Sequence, residues 1–230
     1  EGVIAAGAIL HYLDATQHLQ NGHIQHLSRI EEDKFVWMDR FTIRNLELLN
    51  GQRENSTTLY DIIDRTTTPM GGRLLHRWLA FPLKDVRAIR NRQTVVEYLF
   101  KHPEEREIIR ENLERIMDME RIVGKISTGR ISPREMVQLS VALNCIAPIK
   151  QICESATDNS YLQLLGEQLS LCSEIRGRIQ YEITPNPPAV QGRPNTIARG
   201  VNAELDELRD IQAHGKERLL QIQKREIEAT

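Results

Sequence analysis

The sequence predicts a mostly α protein, with a helical core over residues 1–199 and one long C-terminal helix over 200–230. Three observations carry this. Apolar residues recur at helical spacing through nearly the whole chain, helix start signals recur between those stretches, and 184–200 is the one clear break in composition. With 230 residues, 40% of them hydrophobic and 27% charged, the chain has apolar mass for one large domain or two small ones.

Residues 3–20 carry an apolar stripe of Ile4, Ala8, Ile9, Tyr12 and Leu13. Residues 21–34 are polar and interrupted at Asn21 and Gly22. Phe35, Val36, Trp37 and Met38 read as one short extended strand, and Asn50-Gly51 as a turn. Thr68 then supplies an N-cap and Pro69 suits the first helical position, where its missing N–H is no loss. Met70, Leu74, Leu75, Trp78 and Leu79 share a face of that helix until Phe81-Pro82 stops it. Asp85 caps a second helix carrying Ile89, Val95, Val96 and Leu99. Pro103, Glu104 and Glu105 open a third, with acids at the positive end of the helix dipole. Its stripe runs through Ile108, Ile109, Leu113, Ile116, Met119 and Val123 as one continuous helix.

Ser132 and Glu135 have capping-box spacing. The helix they open, with Met136, Leu139, Leu143 and Ile146, is expected to bend or end near Pro148. Shorter helices follow over roughly 160–172 and 174–183. The stretch 184–200, with Pro185, Pro187, Pro188, Gly192 and Pro194, reads as a linker or a wrapping loop. Asn202 caps the last helix, in which roughly 27 residues would span about 40 Å. Leu205, Leu208, Ile211, Leu219, Leu220 and Ile222 give it apolar ends around a polar middle containing Gly215, the pattern of a strut docked at both ends.

Composition excludes several functions. Thirty basic and 32 acidic residues leave a net charge of −2, unlike a basic nucleic-acid coat or an acidic tail. No stretch approaches the ~18 apolar residues of a membrane span. Cys145, Cys153 and Cys172 lack CxxC spacing, which points to a reducing compartment and to neither a disulfide framework nor zinc. Aromatics at 5% are few for a base-stacking platform. No phosphate-loop signature occurs. Gly71-Gly72 at a helix start would let either an anion or another backbone approach closely. His11, His18, His23 and His26 lack the cysteines and spacing of a zinc site and read as unliganded. Asp61 and Asp64 beside Arg65, and Asp118 and Glu120 beside Arg121, read as local helix pairs. Residues 40–92 hold ten Lys/Arg against five Asp/Glu, net +5. Within that stretch Arg73, Arg77, Lys84, Arg87 and Arg90 are candidate DNA-phosphate contacts, or else partners of carboxylates within the fold. The chain begins at Glu1 and stops inside a helical period, as expected of a piece of a longer protein.

Met38 to Leu48, with Arg44, Asn45 and Glu47, resembles the L-D-x-x-T-x-R-N-L-E-L segment of the MutS family of DNA mismatch-repair proteins. Residues 56–79 resemble the family's S-T-L-x-x-x-L-D-x-T-x-T-P-M-G-x-R-L-L-x-x-W-L, with Asp64, Thr68, Pro69, Gly71, Gly72, Arg73 and Trp78 in register. Asp118 to Arg121, Ser132 to Glu135 and Ala203 to Arg209 continue the match, although Val201-Asn202 follows Gly200 where many relatives have Gly-Tyr. The resemblance implies the first part of the helical core plus a lever helix, without the mismatch-reading, clamp or ATPase parts. It implies that the parent binds double-stranded DNA as a homodimer or a dimer of related subunits. ATP and Mg would belong to the missing ATPase, and no cofactor, metal or catalytic residue to this segment. It implies a cytoplasmic protein without membrane contact, whose segment is mechanical and not an enzyme. The alternative reading is an independent helical DNA-binding or protein-adaptor module.

Overall fold

A computed structural model describes residues 2–16, 34–53, 56–190 and 192–229. Its helices are α1 (Gly2–Ala15), α2 (Arg40–Asn45), α3 (Leu59–Ile63), α4 (Pro69–Ala80), α5 (Val86–Lys101), α6 (Pro103–Glu114), α7 (Met119–Ser127), α8 (Pro133–Ser155), α9 (Ser160–Gln168), α10 (Ser173–Glu182) and α11 (Ala203–Ala229). No strand forms among the described residues. The expected strand at Phe35 is a single antiparallel bridge to Leu83, flanked by Val36 N–H to Pro82 O at 2.7 Å. Two short segments with no third strand gain too little from pairing to extend the bridge into a ladder. The chain divides into two compact units, one of residues up to 131 with 141–172, the other of 132–140 with the chain from 173 onward.

In the first unit the start signals act as read. Thr68 Oγ1 accepts from Gly71 N–H at 3.0 Å and Asp85 from Ala88 N–H at 3.0 Å, each satisfying a helix-end donor for about 1 kcal/mol. The expected continuous helix past residue 103 is two. α6 stops at Glu114, where Arg115 and Ile116 bond three residues back, and the Asp118 side chain restarts the chain as N-cap of α7. A short carboxylate beside the backbone competes with helix continuation. The break turns Ile116 into the core (7% exposed), while Ile108 and Val123 of the expected stripe stay exposed, as does Val96 of α5.

Among the described residues, two buried clusters hold this unit together. Tyr98, Cys153, Ala156 and Leu162 join α5, α8 and α9, with Val95 and Leu99 against them. Ile116, Ala142 and Cys145 join the α6–α7 corner to α8, with Met70 reaching in from α4. Gly166 lets α9 lie on α8, because a Cβ there would sit 2.8 Å from Cys153 Cβ. Lys150 Nζ donates to the Gly166 and Leu169 carbonyls at 3.1 and 2.8 Å, placing a cation at the α9 C-terminus. α8 does not end at Pro148. It runs on to Ser155, since Cys145 before the proline and Cys153 after it are both buried. By length and hydropathy α8 passes as a membrane-spanning candidate, but its Ala142, Cys145, Ile149 and Cys153 pack into these cores. α1 carries no buried residue.

In the second unit, Ser132 and Glu135 form the expected capping box, with Ser132 N–H to the carboxylate at 2.9 Å and Glu135 N–H to Ser132 Oγ at 3.3 Å. The 184–200 stretch is not a free linker. Ile183 bridges Ile197, Thr184 N–H bonds Thr196 O at 3.0 Å, and Arg134 Nε bonds Pro187 O at 3.0 Å. Asn195 and Gly200 take left-handed backbone, at φ 65° and 87°. This closed loop seats the start of α11. Gly200 N–H donates to Asp206 at 2.7 Å, Arg209 to Ile197 O at 2.9 Å, and Asn202 caps Leu205 N–H at 3.0 Å. Only this end of α11 is docked among the described residues. Leu219 and Leu220, read as part of a second docked end, are 67% and 58% exposed, and the side chain of Ile222 lies outside the described residues.

Candidate functional site

The R-N-L-E-L segment folds as a hook. Asp39 caps α2 by accepting from Thr42 N–H at 2.6 Å, and the chain turns at Glu47, whose φ of 48° lies in the left-handed region. The Glu47 carboxylate accepts Gln52 N–H at 3.0 Å, which holds that costly conformation in place. Glu47 O and Leu48 O then accept from Leu59 N–H and Tyr60 N–H at 2.9 and 3.0 Å. The hook thus stitches α2 to α3. Arg44 and Asn45 lie exposed at the end of α2, apart from the T-P-M-G-G-R residues.

α3 delivers the next connection. Thr58 and Asp61 form a capping box, with Asp61 accepting from Thr58 N–H at 2.9 Å. Tyr60 Oη lies 3.4 Å from Gly72 O, and its ring meets His76 edge-on at 5.6 Å. Asp64 accepts Thr66 N–H at 3.0 Å and Thr66 Oγ1 at 2.7 Å, bonds that hold its carboxyl below the usual range. The Asp64 carboxylate in turn raises the Tyr60 phenol. These side chains explain the paired glycines. A Cβ on Gly72 would meet Tyr60 Oη at 3.2 Å and Thr66 Oγ1 at 3.4 Å, and one on Gly71 would meet Thr68 Oγ1 at 3.1 Å. What approaches closely at these glycines is the chain's own polar side chains.

Arg73 turns this corner into a clasp. Its Nη1 and Nη2 donate to Asp118 at 2.9 and 2.7 Å, and its Nε donates to Glu120 at 2.9 Å. One guanidinium thereby ties α4 to the start of α7 across 45 residues of sequence. Asp118 is held down at about 2, first by Arg73 and then by the Arg121 backbone N–H it caps. Asp118 and Glu120, read as partners of Arg121, serve Arg73 instead. Their separation from it in the chain gave no local signal. Trp78 receives the Arg92 guanidinium 3.7 Å above its ring, which fixes α4 against α5.

The remaining basic residues behave differently. Arg77, Lys84, Arg87 and Arg90 are exposed, and none makes a side-chain ion pair or hydrogen bond among the described residues. A phosphate contact through Arg73 would have to displace two carboxylates. These four have none to displace. His11 is exposed, and His18, His23 and His26 lie outside the described residues. Among the described residues no three His, Cys, Asp or Glu converge to hold a metal.

Apart from Arg44 and Asn45, the motif residues bond to one another, to helix ends or to a neighbouring helix, so the fold and site define a helical core module whose motifs join its helices. Residues 41–229 match the family model for MutS domain III. Over the whole chain the sequence is 55% identical to the DNA mismatch repair protein MutS of Phocaeicola vulgatus, 55% to that of Bacteroides thetaiotaomicron and 53% to that of Bacteroides fragilis. The chain belongs to the MutS family of DNA mismatch-repair proteins and corresponds to its domain III. It spans 26% of the length of these relatives.

Proposed function

We propose that this segment is the mechanical hub and lever of a mismatch-repair protein. In this reading the parent binds mismatched double-stranded DNA in the cytoplasm as a dimer. ATP and Mg at an ATPase elsewhere in the parent bias the lever, and the lever opens or closes a clamp on DNA. The residues 1–199 act as the core and 200–230 as the arm. The observation that carries this reading is α11 itself: 27 residues of unbroken helix, about 40 Å, seated at its base by Asp206, Arg209 and Asn202, with exposed side chains beyond. A rigid element biased from two sites is what coupling requires. The segment performs no chemistry of its own and holds no cofactor.

The test is a break in the arm. Ala213→Pro in the full-length parent kinks α11 at a cost of about 3 kcal/mol locally. ATP hydrolysis without DNA and DNA binding without ATP should both persist, while stimulation of hydrolysis by mismatched DNA is lost. Undiminished stimulation would overturn the reading.

A second reading rests on the four basic side chains over 77–90 that have no partner among the described residues. Arg77, Lys84, Arg87 and Arg90 would give the segment its own weak, sequence-independent hold on DNA. Mobility-shift binding of the chain with a steep salt dependence, lost in Arg77→Glu with Arg87→Glu, would favour it. No shift at low salt would exclude it.

A further inference from the structure

The loop before α4, with α5 and α6, encloses an open groove of about 310 Å³. Arg65, Arg106 and Arg110 line it above an apolar floor of Leu99, Ile109 and Leu113, and its wall is the threonine run leading into α4. No carboxylate lines it. Arg106 and Arg110 stand one turn apart on α6, where like charges repel. Among the described residues Arg65 bonds the Asp64 carbonyl at 3.1 Å, Arg106 reaches the Leu99 carbonyl at 3.4 Å, and Arg110 has no side-chain hydrogen bond or ion pair. Arg73, two residues beyond Gly71 of the groove wall, has two carboxylates within 2.9 Å. The groove therefore gathers three guanidiniums and no carboxylate in one lining with aliphatic side chains, and of the three only Arg65 acts on a neighbouring carboxylate, Asp64, among the described residues.

We propose that this groove captures a short acidic and apolar peptide segment of a protein partner. Two carboxylates would sit on Arg106 and Arg110, and a neighbouring apolar side chain on Leu99, Ile109 and Leu113. The spacing agrees. Alternate residues of an extended strand lie about 6.6 Å apart on one side, close to the roughly 6 Å between side chains one helical turn apart. Guanidinium forks bind carboxylates in pairs of hydrogen bonds. The apolar floor is what separates this site from the exposed arginines of α4 and α5. A phosphate backbone has no aliphatic side chain to place there, whereas a peptide does. The proposal is independent of the lever reading.

The probe is a fluorescein-labelled peptide with two glutamates separated by one alanine and followed by leucine, titrated with the 230-residue chain in anisotropy. Saturable binding is expected. Arg106→Glu with Arg110→Glu should weaken it by about tenfold or more, with the far-UV circular dichroism spectrum unchanged. Replacing both glutamates of the peptide by glutamine should weaken it equally, and replacing its leucine by serine should weaken it several-fold. Arg77→Glu with Arg87→Glu, outside the groove, should leave it unchanged. Absence of saturable binding overturns the proposal. So does an equal loss in Arg77→Glu with Arg87→Glu, or indifference to the leucine, since either would reduce the groove to a diffuse charge patch. Displacement of the peptide by short duplex DNA at lower concentration than by unlabelled peptide would assign the groove to nucleic acid instead.

Discussion

Removing the Asp118 carboxylate tests the clasp most sharply, because that one group does two jobs. It caps α7 through Arg121 N–H at 3.2 Å, and it takes two hydrogen bonds from Arg73 at 2.7 and 2.9 Å. Loss of an N-cap costs about 1 kcal/mol. Asp118 is 22% exposed, so its charged bonds to a half-exposed guanidinium add about 1 kcal/mol more, at the upper end for partly exposed pairs. Asp118→Ala should thus lose about 2 kcal/mol, or about 4–8 °C in Tm for a chain of this size. Asp118→Asn keeps a capping oxygen and loses only the charge, so about half that loss is expected. Urea unfolding followed by circular dichroism at 222 nm measures both. In an Arg73→Met background the Asn substitution should cost nothing further, while the Ala substitution should still cost the cap. Equal effects of Ala and Asn, or an Asn effect undiminished by Arg73→Met, would refute the double role.

Acid should act on the same bond. Asp118 is held at about 2 against roughly 3.9 in an unfolded chain, so its contribution is complete above about pH 5 and lost as pH falls toward 2. Asp118→Asn should flatten that limb of the stability profile. Gly215→Ala, where an added Cβ meets nothing within 4 Å, should raise stability by roughly 1 kcal/mol and raise helicity with it, and unchanged stability would mean that α11 is not helical there in solution. Gly166→Ala places a Cβ 2.8 Å from Cys153 Cβ and should cost about 1–3 kcal/mol by thermal melt, as α9 is pushed from α8. Titration with a thiol reagent should label Cys172 quickly and Cys145 and Cys153 only on unfolding, because the latter two are buried, and burial raises the Cys153 thiol further.

The helix starts were legible because they are local: Thr68, Asp85, Ser132 and Asn202 each accept from a backbone donor three residues on. The Thr58–Asp61 capping box was equally readable from its spacing and was missed. The α6–α7 break was hidden because apolar periodicity continues through it, and Asp118 looked like a surface acid. The clasp was illegible for a different reason. Arg73 and its carboxylates come together through tertiary packing, in which Met70 and Met119 meet the Ile116, Ala142 and Cys145 cluster. Nor does periodicity distinguish an arginine engaged in the fold from one facing water, which is why Arg73 and Arg77 carried the same expectation although Arg73 holds two carboxylates and Arg77, among the described residues, holds none.

The lever claim is tested most directly by two distances in the full-length parent, measured by electron spin resonance with labels in the presence and absence of ATP. Labels at 203 and 227 span α11, and their backbone separation should hold at about 36 Å in every nucleotide state. Labels at 96 and 227 should shift by several ångströms when ATP binds, as an intact arm swings. A 203–227 distance that shortens or broadens with nucleotide while 96–227 stays fixed would mean that the arm melts and does not transmit.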